Sequence, residues 1–324
     1  MRDLAFQVLR RLGNGEFQSG EVLARSMQVS RSVISAALKR AEQYGVCLYR
    51  IRGRGYCLES PVEFIDADQV VKLLGSASRS LRLEVLDQTE STSTLVGRRA
   101  AVGESSGLCV LAEFQSAGRG RLGRSWHSGL GGALTFSLLW RFDRGASHLG
   151  GLSLAVSVGV LRGLRQVGIE AAAVKWPNDI IVNFRKLAGI LIEAQGDMLG
   201  PSVAVIGIGL NYRLQEQVKE RIDQPVVDIA SVACTPVSRN VLFAAVLKNM
   251  VEVLKVFERH GFAPFREEWQ SAHAYHGRAV RIIRPGETVF SAVVNGVGDD
   301  GTLHVKAGRQ LARLTSAEIS LRTP

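Results

Sequence analysis

Near the start of the chain the apolar residues fall three and four apart: Leu4, Val8, Leu9 and Leu12 share one helical face, and "GNG" at 13–15 ends the helix. Ser19 precedes a short second helix expected to carry Val22 and Leu23 inward. After the tight turn "MQVS", Ser30 is placed to cap a third helix whose apolar face is Val33, Ile34, Ala37, Leu38 and Ala41. Gly45 stops that helix, and "VCLYRIRGRGYCLE" reads as two short strands around a turn at Arg52, Gly53, Arg54 and Gly55. Helix, helix, turn, helix and basic hairpin is the order of a winged helix-turn-helix domain. A small helical bundle with a solvated basic face gives a similar pattern. Against that, the polar face of the third helix carries Arg31, Ser32, Ser35, Lys39 and Arg40, hydroxyl and cationic types that reach base edges and phosphates. Arg52 and Arg54 add charge at the hairpin tip, and these seven residues are the expected DNA contacts.

"SPVEFIDADQVVKLL" reads as a linker running into a helix, which puts a boundary near 60–66. Beyond it strands and helices mix without a repeat. "LCVLAEF", "GGALTFSLLW", "KLAGILIEAQ" and "SVAVIGIGLNY" are apolar strands, "GLSLAVSVGVLRGLRQVG" is a mostly buried helix, and residues 239–260 form an amphipathic helix. "AAVKWPNDIIVN" is a strand broken at Trp176, Pro177 and Asn178. The pattern predicts α+β layers.

The length, 324 residues with 46% hydrophobic content, allows two or three domains with real cores. A net charge of +10 calls for an anionic partner without saying whether it is nucleic acid, nucleotide or acidic protein. Half of that charge sits in the first sixty residues, where ten basic side chains face five acidic ones. Cys47, Cys57, Cys109 and Cys234 form no C-x-x-C pair and the histidines no H-E-x-x-H, so buried free thiols in a reducing cytoplasm are expected rather than a zinc site. No basic and apolar leader begins the sequence, and the longest apolar stretch, from Leu152, is too short and interrupted to span a bilayer. A soluble cytoplasmic protein with no membrane partner is the expectation.

"GRGRLG" at 118–123 fits G-x-G-x-x-G, and Asp143 even supplies an acid at the distance a dinucleotide fold requires. A dinucleotide loop must open a helix, whereas here Arg124, Ser125, Trp126, His127, Ser128, Gly129, Leu130, Gly131 and Gly132 follow, a run that cannot start one. The alternative is a loop that offers backbone amides and guanidinium groups to a phosphate. "KWPND" at 175–179 and Lys186 beside "LAGILIE" also carry charge next to apolar strands. Each alone reads as a solvated strand end. Together they supply what attack of a carboxylate on ATP needs: cations and amides around a phosphate, a lysine for developing oxyanion charge, and an acid.

Taken in order, "TESTST", "GRGRLGRSW", "KWPND", "KLAGIL" and "GIGLNY" resemble the biotin protein ligase family, and the N-terminal domain resembles that of its bifunctional members, which also repress biotin synthesis genes. The resemblance covers nearly the whole chain. It implies a winged helix-turn-helix over 1–62, a central mixed α/β catalytic domain of the biotin/lipoate ligase type over 63–270, and an SH3-like β-barrel over 271–324 with turns at Pro285–Gly286 and Asp300–Gly301. It implies that biotin and ATP, with Mg2+ not assigned to any protein side chain, give biotinyl-5'-AMP, and that a lysine of a biotin carboxyl carrier protein then takes the biotin. Residue by residue, Ser91 and Thr92 would bond the ureido ring, with Gln115 and the backbone near Gly118 completing that subsite. Arg119 and Arg121 would hold the carboxylate and then the phosphate, and Lys186 would contact both. Trp126 would pack on the purine, Asn178 and Asn211 would read its edge, and Asp179 would act in catalysis by receiving the proton of the acceptor lysine. Ser93, Gly120 and Gly189 complete the implied substrate site; Ser93 stands where the family commonly has asparagine. The family's bifunctional members further imply operator DNA as a partner, biotinyl-AMP as corepressor and a ligand-promoted homodimer. A lipoate-type ligase and a ligand-sensing repressor without catalysis remain as alternatives, the first opposed by Ser91, Thr92 and Gln115, the second by Lys186 and the arginine loop.

Overall fold

In a computed structural model the described residues are 3–283, 290–315 and 320–322. The N-terminal helices start where polar caps stand. Asp3 accepts from the amide of Ala5 ahead of α1 (Leu4–Leu12), Ser19 from that of Val22 ahead of α2 (Gly20–Ser26), and Ser30 from that of Val33 ahead of α3 (Arg31–Ala41). Gly45, at φ 74°, follows the last short turn, and β1 (Leu48–Ile51) pairs antiparallel with β2 (Gly55–Leu58). Phe6, Leu9, Leu12, Leu23, Ile34 and Leu38 form the core of this unit. Two expectations need correcting: Val22 and Val33 are 59% and 42% exposed. Both sit in the first turn of their helices, and the face that meets the core is set by Leu23 and Ala24 in α2 and by Ile34, Ala37, Leu38 and Ala41 in α3.

Next come α4 (Ala67–Leu74), β3 (Arg82–Thr89), α5 (Thr92–Ala101), β4 (Leu108–Gln115) and β5 (Ala133–Phe142). They are followed by α6 (Leu152–Gln166), β6 (Ala173–Lys175), β7 (Asp179–Val182), β8 (Arg185–Gly196) and β9 (Ser202–Asn211). Two short helices, α7 (Glu216–Lys219) and α8 (Ile229–Val232), lead to the long α9 (Arg239–His260) and to α10 (Arg266–Ser271). The strands make one sheet in the order β3-β4-β5-β9-β8-β7-β6, antiparallel throughout except for the parallel β3–β4 pair. Burial on both faces explains why β4, β5 and β9 read as nearly unbroken apolar runs. Helices α6 and α9 pack so closely that a methyl group on Gly163 would stand 2.6 Å from the Val246 Cα. Helix α5 packs on a smaller cluster with Val110, Leu139 and Val205. The break at Trp176–Asn178 is real: it is the turn between β6 and β7, it contains a cis Trp176–Pro177 peptide, and Trp176 is buried.

The C-terminal strands are β10 (Ala279–Ile283), β11 (Phe290–Val297), β12 (Leu303–Ala307), β13 (Gln310–Leu314) and β14 (Ser320–Arg322). They form an antiparallel sheet in the order β13-β12-β11-β10-β14, and among the described residues no pairing of β13 with β14 closes it into a barrel. The Asp300–Gly301 turn is present, with Gly301 at φ 77°, whereas the expected turn at Pro285–Gly286 lies outside the described residues. Not all thiols are buried as expected: Cys57 and Cys109 are, Cys47 is half-buried, and Cys234 is exposed in the connection between α8 and α9. Among the described residues no helix is long and apolar enough to cross a membrane.

The segment before α4 is short and anchored. Arg239 and Glu113 form a fully buried ion pair (2.9 Å), and Arg239 also donates to the carbonyl oxygens of Glu63 and Ala133. Glu113 accepts from the Ile65 amide (2.6 Å), and Glu63 accepts from Ser238 Oγ, from the Arg239 amide and from the Asn240 side chain. Burial pushes the Glu63 carboxyl up, but these hydrogen bonds outweigh it and hold it below its ordinary range. The N-terminal unit docks beside this anchor. Tyr44 accepts at its carbonyl from the Leu130 amide and packs its ring on Phe114, and Arg10 pairs with Asp87 at 2.7 Å.

Candidate active site

One side of the seven-stranded sheet is opened by glycines. Across it, Gly209 of β9 pairs with Gly189 of β8, which pairs in turn with Asp179 of β7; two residues along β9, Gly207 pairs with Ser137 of β5. Residues paired across strands share a face, and so do residues two apart along one strand. The bare strip therefore forms a floor on which larger side chains lie flat. A methyl group on Gly209 would stand 2.4 Å from the Trp126 indole, and one on Gly207 would stand 2.5 Å from Ser93 Oγ. A cavity of about 560 Å³ opens above this floor.

At the Gly207 end, the loop between β3 and α5 supplies hydroxyls. Ser91 caps α5, accepting from the Thr94 amide, and Thr92 and Ser93 follow it into the helix. Gln115, the last residue of β4, accepts at Oε1 from the Thr92 amide (2.7 Å) and hydroxyl (3.1 Å). Of the two amide atoms only the oxygen can accept from a backbone N–H, so the amide orientation of Gln115 is fixed and its Nε2 lies on the Gly118 side. At the Gly209 end, Trp126 presents its indole, whose N–H is buried with no hydrogen-bond partner among the described residues. An unmatched buried donor is costly unless a ligand accepts from it.

The glycine and arginine loop folds back on itself: Gly120 donates to Arg124 O (2.7 Å) and Trp126 to Gly118 O (2.8 Å). A methyl group on Gly118 would stand 2.6 Å from Trp126 O, so that return needs glycine. A single 3-10 turn at Arg121–Gly123, with Leu122 at φ 55°, stands where a dinucleotide fold would start a helix. Arg121 enters the cavity and donates to Asn178 Oδ1 (3.0 Å); burial lowers its pKa, Asp179 opposes that and Arg124 adds to it. Arg119 stays at the mouth, paired with Glu193 at 2.6 Å. Lys186 and Asp179 form an ion pair at 2.8 Å, each about one-sixth exposed, and the lysine Nζ lies 5.8 Å from the centre of the Trp126 ring.

The structure brings together around this cavity Ser91, Thr92, Ser93, Gln115, Arg119, Gly120, Arg121, Trp126, Asn178, Asp179, Lys186, Gly189 and Asn211. Gly118 lines instead a second hollow along the same loop, shared with Leu191 and Glu193. Asn178 and Asn211 face the cavity with amides already engaged: Asn178 donates to Ile190 O (2.6 Å), and Asn211 to Lys186 O (3.2 Å) and Val227 O (3.1 Å).

Residues 85–211 match the model of the biotin/lipoate A/B protein ligase family, and residues 275–322 that of the biotin protein ligase C-terminal domain. The bifunctional ligase/repressor BirA of Escherichia coli (strain K12) is 33% identical over 313 residues, covering 96% of this chain and 95% of that protein. The chain belongs to the biotin protein ligase family. The biotin--[acetyl-CoA-carboxylase] ligase of Mycobacterium tuberculosis is 28% identical over 76% of this chain and 92% of its own length. The biotin protein ligase of Aquifex aeolicus, solved with biotin and ATP, has a TM-score of 0.64 at 28% identity, covering 75% of this chain and 99% of that one.

Sequence reasoning missed several parts of this ligase's pocket. Ser137, wholly buried on β5, bonds both Thr92 Oγ1 (2.8 Å) and Ser93 Oγ (3.0 Å). Its signal was a hydroxyl inside the apolar run "ALTFSLLW". Lys175, Arg124 and residues 221–224 also line the cavity; the last enter it from a loop that no spacing rule connects to the strands. Trp176 donates Nε1–H to Gly301 O (3.1 Å), so the C-terminal sheet props the "KWPND" turn from behind.

Proposed function

We propose that this pocket joins biotin to ATP to give biotinyl-5'-AMP and pyrophosphate, and then passes the biotinyl group to a lysine of a biotin carboxyl carrier protein. The enzyme is an ATP-dependent biotin ligase, and the observation that carries the residue assignment is the Lys186–Asp179 pair. It lines the same cavity as the hydroxyl-lined subsite and the indole, with Lys186 Nζ 5.8 Å from the centre of the ring and Arg121 at its side.

The Ser91, Thr92 and Gln115 subsite takes the ureido ring, and Trp126 covers the adenylate. A carboxylate oxygen of biotin attacks the α-phosphorus; the bond to the β-phosphate oxygen breaks and pyrophosphate leaves. Arg121 and Lys186 gather the charge that develops on the α-phosphate oxygens, where desolvation makes each contact strong. Lysine moving to that charge leaves Asp179, which then takes the proton of the acceptor amine as it attacks the acyl carbon and AMP departs. Two steps are needed because amines do not attack a free carboxylate, whereas they do attack a mixed anhydride. Arg119 and Glu193 tether the loop at the mouth. The engaged amides of Asn178 and Asn211 point to supporting roles. Asn178 aims Arg121, and Asn211 ties β9 to the backbone of Lys186, with its Oδ1 left to face the purine. Magnesium fits as part of the nucleotide. Among the described residues no group of three or more His, Cys, Asp or Glu could hold a metal, and Mg2+ is commonly bound through phosphates with one or two carboxylates.

The N-terminal unit, residues 1–62, is read as a winged helix-turn-helix that binds operator DNA, and residues 271–324 as an SH3-like module behind the 63–270 catalytic domain. Support comes from coverage: the relative named as ligase and repressor spans 96% of this chain, whereas the ligases of Mycobacterium tuberculosis and Aquifex aeolicus span 76% and 75%. On α3, Arg31, Ser32, Ser35 and Lys39 are exposed, as is Arg52 in the hairpin. Arg40 is held by Asp3, and Arg54 lies over the Phe17 ring. Binding of biotinyl-AMP favours a two-fold dimer that presents two such units to two half-sites.

The test is to incubate the chain with MgATP, a carrier domain and either biotin or lipoate. A mass increase of one biotinyl group on one carrier lysine is expected; labelling by lipoate alone would overturn the reading. For the second role, a gel shift on DNA upstream of biotin synthesis genes should strengthen when biotin and ATP are supplied, and DNA affinity indifferent to both would remove it.

A further inference from the structure

The cavity floor holds a chain of four hydrogen-bonding groups whose direction can be derived. Gln115 Oε1 can only accept, so the 3.1 Å contact with Thr92 Oγ1 uses the proton of the threonine. Thr92 Oγ1, its one proton spent, must accept from Ser137 Oγ at 2.8 Å. Ser137, its proton spent in turn, must accept from Ser93 Oγ at 3.0 Å. The protons thus run one way, from Ser93 through Ser137 and Thr92 to Gln115. Ser137 and Thr92 are nearly sealed from water, at 0% and 3% exposed, so no solvent is at hand to reverse the order.

Resting on the biotin reading above, we propose that Ser137 is a positioning residue that aims the acceptor of the ureido subsite, whose polarity Gln115 sets by taking the Thr92 proton. With one lone pair committed to Ser137 and its proton to Gln115, Thr92 Oγ1 has a single lone pair left for the ligand. It presents an acceptor, and only an acceptor. The subsite therefore selects a ligand with an N–H at that position, as a ureido ring has, and rejects one with a ring oxygen there, where two lone pairs would oppose each other. Ser137 acts through Thr92 and does not touch the ligand. Ser93 serves as the far end of the chain, and its small side chain fits the 2.5 Å approach to the Cβ position of Gly207.

The experiment compares three acids in the adenylation assay: biotin, desthiobiotin, and a cyclic carbamate analogue of biotin in which one ring N–H is replaced by oxygen. Wild-type enzyme turning over biotin establishes the reading on which this rests, separately from what the variants do. In Ser137→Ala the Thr92 proton stays on Gln115, but the lone pair that Ser137 had engaged is released, so the remaining acceptor is no longer aimed at the ligand N–H, a bond that the carbamate does not make. The KM for biotin and for desthiobiotin should rise about tenfold, the range for a disturbed buried hydrogen bond, while kcat changes less than about twofold. The preference for biotin over the carbamate should fall by about tenfold. Ser137→Cys, which keeps a weak donor of similar size, should recover part of that preference. If KM rises equally for all three acids, so that the preference is unchanged in both variants, Ser137 is packing alone and the proposal fails; it fails equally if Ser137→Ala leaves KM for biotin at the wild-type value.

Discussion

Gly209→Ala puts the smallest possible group where the structure leaves no room. The added carbon would stand 2.4, 2.6 and 2.7 Å from three atoms of the Trp126 indole, against about 3.5–4.0 Å for carbons in ordinary contact. The indole must therefore retreat by about 1 Å or more. Retreat along the sheet toward β8 runs into Lys186, whose Nζ lies 5.8 Å from the ring centre. Lifting off the floor takes the indole into the cavity that the adenylate would fill. Overpacking of this kind costs about 1–3 kcal/mol, roughly 5- to 150-fold if all of it is taken from binding. Steady-state kinetics should show KM for ATP raised by about ten- to a hundredfold, with a smaller effect on biotin. Gly207→Ala serves as the contrast, since its methyl would meet Ser93 Oγ and should raise KM for biotin instead. Equal effects of both substitutions on both substrates, or a Gly209→Ala enzyme with a wild-type KM for ATP, would show that Trp126 does not cover the nucleotide.

Three further outcomes follow from other parts of the molecule. Burial beside His276 holds His273 neutral, its pKa pushed down to about 3 from 6.5; below pH 6.5 the unfolded chain takes a proton that the fold refuses, so stability drops as pH falls from 6.5 toward 3, by about 2 kcal/mol by about pH 5. Denaturant titrations at the two pH values should show this loss, and His273→Gln should abolish it; an unchanged pH dependence would place the proton elsewhere. Glu63→Ala strips partners from Ser238, Asn240 and the Arg239 amide and should destabilise the fold by about 2–4 kcal/mol in urea unfolding, whereas an exposed linker carboxylate would change it by less than about 0.5. Arg31→Ala or Lys39→Ala should each lower the log-log salt slope of DNA binding by about one, while Arg40→Ala, which breaks the pair with Asp3, should show chiefly as lost stability; three identical slopes would remove α3 from the DNA interface.

What could be read from the sequence was whatever is local. Ser19, Ser30 and Gly45 announced the ends of the N-terminal helices through their own backbone chemistry, and the break at Trp176–Asn178 showed as a strand interrupted by proline. Val22 and Val33 were misplaced because a helix of seven residues, or the first turn of one of eleven, gives too few apolar positions to fix the facing angle. The site was legible as motifs, although spacing along the chain could not show that Gly189 and Gly209 are cross-strand partners, or that Asp179 sits beside Lys186. Ser137 and the Glu63–Arg239–Glu113 anchor were out of reach, since each joins residues that are 44 to 177 positions apart. The engaged amides of Asn178 and Asn211 belong to the same class: only the fold shows which carbonyl has already taken a donor.

In the mechanism proposed above, Lys186 leaves its pairing with Asp179 and carries charge during attack of the biotin carboxylate on ATP. The most direct test of that role is the single-turnover rate of biotinyl-5'-AMP formation, read by mass spectrometry, for wild type and Lys186→Ala with biotin and MgATP saturating. Loss of one such electrostatic contact should slow the step by about 10²–10³-fold, with the urea midpoint of the variant close to that of wild type. Adenylate formed by Lys186→Ala at the wild-type rate would make the lysine a structural partner of Asp179 and contradict the mechanism.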